Sequence, residues 1–272
     1  MNQQLNIAFI GAGNMSSSII GGLIQGGYPA NQVMAANPSQ GKLEVLKDKF
    51  AIQTTNDNLK AAQFADVLVL GVKPQMMETV CNQIYTIPGL SDKLIVSLAV
   101  GMTVERLNAL LRCQPAMIRC MPNTPSLLGL GVSGLFASKT SDAQNQFVTQ
   151  MMENTGQVIW LKSEPEIDRL AAISGSGPAY YFLFMESMIE KAVALGFTPE
   201  TAKIMVQQTA LGAAEMVKEN NIPVSTLREN VTSKGGSTAE ALRVFNEKQL
   251  KSIIDEAVDA AITRASEISK TM

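Results

Sequence analysis

The chain has 272 residues, 46% of them hydrophobic, a net charge of −2 and no histidine. That length can bury one large core or two moderate ones, so two domains are expected, and the near-neutral balance without a basic run excludes a broad nucleic-acid or anionic-membrane surface. Without imidazole, Ser-His-Asp and Cys-His nucleophilic catalysis, His-ligated zinc and the His general acid of many hydroxyacid dehydrogenases are excluded as well.

The first residues lead straight into a strand, so no signal or transit peptide is expected, and no apolar stretch reaches the roughly 18 residues of a membrane span. Cys81, Cys113 and Cys120 are odd in number and lack CxxC spacing. They predict neither a disulfide framework nor a thiolate metal site and fit a reducing, cytoplasmic compartment.

A short apolar strand from Asn6 to Ile10 runs into Gly11-Ala12-Gly13-Asn14-Met15-Ser16. The pattern is strand, glycine turn, helix. The first glycine permits the tight turn, the second lets the backbone approach a pyrophosphate, and the helix opening near Asn14 offers unpaired amides to it. Ser16 stands where the dinucleotide fingerprint has its third glycine; a small residue still lets helix and strand pack closely.

The second strand, 33–36, ends in Asn37-Pro38-Ser39, where an NAD site usually carries an acid for the ribose hydroxyls. No acid is present. A 2′-phosphate is then not repelled, and Asn37, Ser39 and Lys42 could hold it, which favours NADP(H) and leaves NAD(H) as the alternative because no Arg is nearby. A plain Asn-Pro-Ser turn would have the same composition.

After a helix near 41–50, the run 65–74 reads as a buried parallel strand whose end brings Val72, Lys73 and Pro74 toward a bound nucleotide. The stretch 93–101 repeats this arrangement through Ala99 and Val100 to Gly101, and a helix at 103–111 follows. Strands are expected at 116–120, 132–137 and 157–161, with a helix between the last two. The alternation predicts a doubly wound, mostly parallel Rossmann sheet over residues 1–163.

Beyond Pro165 the spacing of apolar residues becomes helical, at 170–173, 180–195, 199–219 and 248–269, which predicts an all-α domain over 164–272. Pro199 after Thr198 reads as a first-turn proline, and Gly196 as a helix stop. Tyr180-Tyr181-Phe182-Leu183-Phe184-Met185 is apolar on all sides of a helix, as an intersubunit core or an internal one would require.

Two glycine-serine turns precede helices here, Ser174-Gly175-Ser176-Gly177-Pro178 and Thr232-Ser233-Lys234-Gly235-Gly236-Ser237-Thr238. Adjacent glycines let backbone amides converge on an anion such as a small carboxylate. An ordinary interhelix turn and a helix stop with a cap are the simpler readings, and both remain open at this point. In the β-hydroxyacid dehydrogenases a comparable glycine-rich helix carries a catalytic lysine; the stretch 179–185 has none.

Taken together, Gly11 to Met15, Val72-Lys73-Pro74, Arg119 to Pro125, Ser174 to Tyr180 and Leu227 to Phe245 make the chain resemble the pyrroline-5-carboxylate reductases over essentially its whole length. The last two motifs are the specific ones. The resemblance implies a Rossmann domain followed by a helical domain that dimerises, so a homodimer through the C-terminal helices, with a decamer of five dimers as the larger assembly. It places NADP(H) on Ile10, Gly11, Ala12, Gly13, Asn14, Met15, Asn37, Ser39, Asn56, Val72, Lys73, Pro74, Ala99, Val100 and Asn230. It places the small-molecule substrate against Ser233, Gly235, Gly236, Ser237 and Thr238. Lys234 stands where many relatives have proline.

The implied chemistry suits a site without histidine. A protonated cyclic imine accepts hydride at carbon and becomes an amine, so no alkoxide needs a proton donor and positioning dominates. On this reading the amides of Gly235 to Ser237, with Ser233, hold the carboxylate, and the Thr238 hydroxyl orients the ring nitrogen. Two alternatives stay open, a β-hydroxyacid dehydrogenase-like oxidoreductase and a non-catalytic NADP-binding regulator.

Overall fold

The computed structural model describes residues 5–271, with side chains through residue 268. By its contacts the chain divides into two compact units, one of residues up to Ser176 with those from Ala261 on, the other Gly177–Ala260.

The first unit is built on one sheet of β1 (Ile7–Ile10), β2 (Val33–Ala36), β3 (Gln53–Thr55), β4 (Val67–Leu70), β5 (Leu94–Ser97), β6 (Ala116–Met121), β7 (Gly131–Ser138) and β8 (Gly156–Trp160). Their order is β3-β2-β1-β4-β5-β6-β7-β8, and every pair is parallel except β6–β7. The expected doubly wound, mostly parallel sheet is therefore present. Strands β1, β2, β4 and β5 are buried at every position, as strands covered on both faces must be.

Alternate residues feed two cores. Ile7, Phe9, Val33, Ala35, Val67 and Val69 meet helices α1 (Asn14–Gln25) and α2 (Gln40–Phe50), while Ala8, Ile10, Met34, Leu68 and Leu70 lie with α3 (Asn58–Phe64), α4 (Pro74–Ile84) and α5 (Val104–Leu111). Helix α6 (Asp142–Glu153) adds Phe147, Val148, Met151 and Met152 to the first core. The chain builds outward from β1 toward β3 and then resumes on the other side at β4, so the order reverses between β1 and β4. A crevice opens beyond the carboxyl ends of the strands at such a reversal.

Three elements escaped the reading of the sequence. Strand β3 is a short polar edge strand, and α3 is a short helix whose start is set by Asp57, which accepts the amides of Leu59 and Lys60 at 2.8 and 3.4 Å. Helix α4 begins with Pro74 at its first turn, so the residue that closes the β4 loop also opens a helix.

Arg119 on β6 is 3% exposed and ion-paired with Glu164, Nη1 to Oε1 at 2.9 Å. The same carboxylate oxygen accepts the Val104 amide, at the start of α5, at 2.7 Å. One oxygen thus ties β6, α5 and the segment before α7 (Glu166–Leu170) together. Glu164→Ala leaves Arg119 buried without its partner and should cost about 3–5 kcal/mol, measured as a fall in the urea midpoint; a loss below 1 kcal/mol would show that water replaces the carboxylate easily.

Burial pushes the thiols of Cys81 on α4 and Cys120 on β6 up to about 12, with nearby Cys113 adding to the effect at Cys81; burial raises the Cys113 thiol less. Since the thiolate is the reactive form, a disulfide reagent at pH 8 should titrate at most Cys113 quickly in the native protein, and all three thiols only after unfolding.

In the second unit α8 (Gly177–Ala194) packs along α9 (Pro199–Glu219), and α10 (Val224–Asn230) and α11 (Ser237–Glu247) follow; α12 is Leu250–Thr271. Thr198 caps α9 by accepting the Thr201 amide at 3.2 Å, with Pro199 at its first turn. Phe184 of α8 meets Phe245 of α11 with ring centroids 6.2 Å apart. Tyr180 through Phe184 nevertheless stay exposed, so within one chain this apolar helix is largely uncovered.

Candidate active site

The glycine turn after β1 sits at the reversal of strand order. The Gly11 amide donates to the Ala36 carbonyl at the end of β2, and the Gly71 amide after β4 donates to the Ile10 carbonyl, both at 2.9 Å. Gly11 holds φ +102°, and a Cβ there would lie 2.7 Å from the Gly71 carbonyl oxygen. Only glycine fits.

Gly13 behaves differently: it caps α1 without any side-chain bond, and a Cβ on it would meet nothing within 4 Å. The space above the helix start is open, and the first turn of α1 carries no acid to compete for its amides. Ser16, in place of the third glycine, is 1% exposed, and its hydroxyl occupies the place a Cβ on Gly71 would need, 2.3 Å from it. Helix and strand still approach closely, because the glycine of that contact lies on the strand side.

A cleft of about 750 Å³ opens here. Of the residues expected to hold cofactor, Ile10, Gly11, Gly13, Asn37, Asn56, Val72 and Lys73 line it. Ala12 and Asn14 line a separate groove of about 560 Å³ that includes residues of α1 and α2. Met15, Ser39, Pro74, Ala99 and Val100 are not among the lining residues of the cleft; Met15 packs against the core, Pro74 opens α4 and Ala99 is buried after β5. Asn230 ends α10 in the second unit.

The cleft also takes in Asp57, Asn58, Leu59, Met76, Thr79, Val80 and Gln83, none of which the sequence had singled out. They lie on α3, at its cap, and on α4, the helices that were overlooked. The Asn58 side-chain Nδ2 donates to Gln83 Oε1 at 2.7 Å and so links the two helices. Leu59 and Met76 are exposed apolar side chains on this wall.

At the carboxyl end of β6, Asn123 is 8% exposed and bonded at both ends of its amide: its Nδ2 donates to the Ser174 carbonyl and its Oδ1 accepts the Val132 amide, each at 2.9 Å. Ser174 belongs to a π-helical turn, Ala171–Gly175, and a Cβ on Gly175 would come within 2.9 Å of Met121. The Arg119–Pro125 motif thus serves to hold the Ser174–Gly175 turn.

The second unit presents the turn Ser233-Lys234-Gly235-Gly236. It is closed by the Gly236 amide donating to the Ser233 carbonyl at 3.0 Å, with Gly235 at φ +73°. A Cβ on Gly236 would come 2.6 Å from the Ser233 hydroxyl and 3.1 Å from its carbonyl oxygen, so Gly236 allows a close approach while Gly235 supplies the positive φ. Gly236 then caps α11 with no side-chain bond, which leaves the amides of Ser237 and Thr238 exposed for an acceptor. Among the described residues no cluster of His, Cys, Asp and Glu could hold a metal, and no helix is long and apolar enough to cross a membrane.

Residues 164–268 match the family described as pyrroline-5-carboxylate reductase dimerisation, and residues 6–101 match the one described as NADP oxidoreductase coenzyme F420-dependent. The chain is 50% identical over 266 residues to a pyrroline-5-carboxylate reductase of Vibrio alginolyticus, covering 97% of both chains. Among solved structures it is similar to the pyrroline-5-carboxylate reductase of Coxiella burnetii, with TM-score 0.93 and 42% identity over 98% of this chain and 99% of that one. It is also similar to a pyrroline carboxylate reductase of Plasmodium falciparum solved with NADP bound, with TM-score 0.86 and 30% identity over 97% and 98%.

If the open space over Gly13 belongs to a pyrophosphate, Gly13→Ala should raise the Kd for NADPH at least about tenfold while leaving the melting temperature unchanged. Gly11→Ala should lower both, because its Cβ meets the protein itself. Fluorescence titration and thermal melting of the two variants separate the cases.

Proposed function

The chain belongs to the pyrroline-5-carboxylate reductase family, and we propose that it reduces the C=N bond of 1-pyrroline-5-carboxylate to proline with NADPH, its N-terminal and C-terminal parts dividing the work. The observation that carries this reading is the pair of glycine turns, Gly11–Gly13 at the sheet reversal and Gly235–Gly236 before α11, each leading into a helix whose N-cap glycine makes no side-chain bond. When bound, NADPH supplies the hydride.

Residues 1–163 hold the cofactor and residues 164–272 the substrate and the dimer contact. Ile10, Gly11, Gly13, Asn37, Asn56, Val72 and Lys73 line the nucleotide cleft. Ala12, Asn14, Met15, Ser39, Pro74, Ala99, Val100 and Asn230 are assigned to the cofactor by the family resemblance alone. The amides of Gly235, Gly236 and Ser237, with the Ser233 hydroxyl, receive the substrate carboxylate. The Thr238 hydroxyl, at the second position of α11, hydrogen-bonds the ring nitrogen and turns the imine carbon toward the hydride. No residue has to supply a proton to a developing alkoxide, which fits a chain without histidine.

The C-terminal helices are a dimerisation region, and the exposed row Tyr180–Phe184 offers the apolar surface that a second copy would cover. The assembly proposed is a homodimer, with five dimers forming a decamer, in the cytoplasm.

NADPH oxidation on adding 1-pyrroline-5-carboxylate, with NADH in parallel, tests the activity directly; binding of NADPH with no turnover would overturn it. Thr238→Ala should then lower kcat/KM by about 5- to 150-fold, the loss of one oriented hydrogen bond, and Thr238→Ser should restore most of it. An unchanged kcat/KM in Thr238→Ala would remove Thr238 from the mechanism.

A further inference from the structure

The path from Glu166 to Ala194 is not one α-helix. Between α7 and α8 lies the π-helical turn Ala171–Gly175, and the residues at its edges, Leu170, Ala171 and Ser176, all keep right-handed helical backbone angles. The Ser176 amide donates to the Ala171 carbonyl, five positions back, at 2.8 Å. Such a turn holds one residue more than a turn of α-helix.

Pro178 supplies the local reason. In a regular helix the residue at 178 would give its N–H to the Ser174 carbonyl, four positions back; proline has none, and its ring collides with that carbonyl. The displaced carbonyl is taken by Asn123, whose Nδ2 donates to it at 2.9 Å while Oδ1 accepts the Val132 amide. Two motifs therefore meet here. Arg119–Pro125 supplies the donor, and Ser174–Tyr180 supplies the carbonyl and the proline that strands it. The first unit ends at Ser176 and the second begins at Gly177, so the bulge sits where the chain leaves the sheet for the helices. Without the extra residue, everything after it in α8 would advance by one position, a rotation of about 100° and a shift of about 1.5 Å.

We propose that Asn123 is a positioning residue for the reduction: by holding the Ser174 carbonyl it fixes the register in which α8 continues α7, and so the register handed on to the unit that carries the Gly235–Gly236 turn. The inference rests on the reading of the chain as a reductase that uses both glycine turns in one reaction.

Hydrogen exchange and steady-state kinetics of the full-length protein test this together. Asn123→Asp, as a carboxylate, keeps the acceptor for the Val132 amide and loses the donor to Ser174. It should speed exchange in peptides from 171–185 and lower kcat about tenfold, with the NADPH Kd from fluorescence titration changed by less than about twofold. Pro178→Ala leaves Asn123 untouched and returns an N–H to the Ser174 carbonyl, so that the bulge has a regular helix to relax into; it should lower kcat likewise, and it carries the test if Asn123→Asp does not fold. Adding Asn123→Asp to Pro178→Ala should cost little more, because the carbonyl then has another donor. A kcat that stays at the wild-type value in the folded variants, with only the melting temperature lowered, overturns the positioning role, as does an NADPH Kd that rises in step with the fall in kcat. Wild-type protein without turnover overturns the proposed reaction, whereas unchanged exchange at 171–185 in Asn123→Asp overturns this inference whatever the reaction is.

Discussion

Backbone at the reversal of strand order leaves no room for a side chain, and the nucleotide cleft follows from that constraint. A Cβ on Gly11 would overlap the Gly71 carbonyl, and a Cβ on Gly71 would overlap the Ser16 hydroxyl. The loops after β1 and β4 can therefore lie against each other and against α1, which puts the free amides of α1 over the edge of the sheet. If either glycine carried a side chain, the helix start would have to retreat from the place where a pyrophosphate needs it.

The same device appears in the second unit by different means. Gly235 supplies a positive φ and Gly236 a close approach to Ser233, so the turn aims its amides along the start of α11. Both turns present main-chain donors, whose charge does not titrate. A reaction that needs a placed hydride acceptor and a held carboxylate, and no titrating base, is compatible with such sites and with the absence of histidine.

Support for these cradles comes from polar groups that bridge separate segments of the chain. The Glu164 oxygen is shared between Arg119 and the Val104 amide, Asn123 spans β7 and the π-helical turn, and Asn37 spans two loops. Each is a buried or half-buried group whose hydrogen bonds hold loops that have little apolar surface of their own. This is why the Arg119–Pro125 motif matters although it does not line the nucleotide cleft.

The sequence by itself determined the strands with unbroken apolar runs, the glycine turns and the capped helix start at Thr198 and Pro199, because these depend on local rules of period, turn geometry and missing side chains. It did not disclose β3 and α3, which are too short and polar to show a period, or the wall of Leu59, Met76, Thr79 and Gln83 that they and α4 bring to the cleft. Nor did it disclose that Asn37 joins the glycine turn to the β2–α2 turn, because its partner, the Ala12 amide, lies 25 positions away in the chain and only the folded sheet brings the two within hydrogen-bond reach.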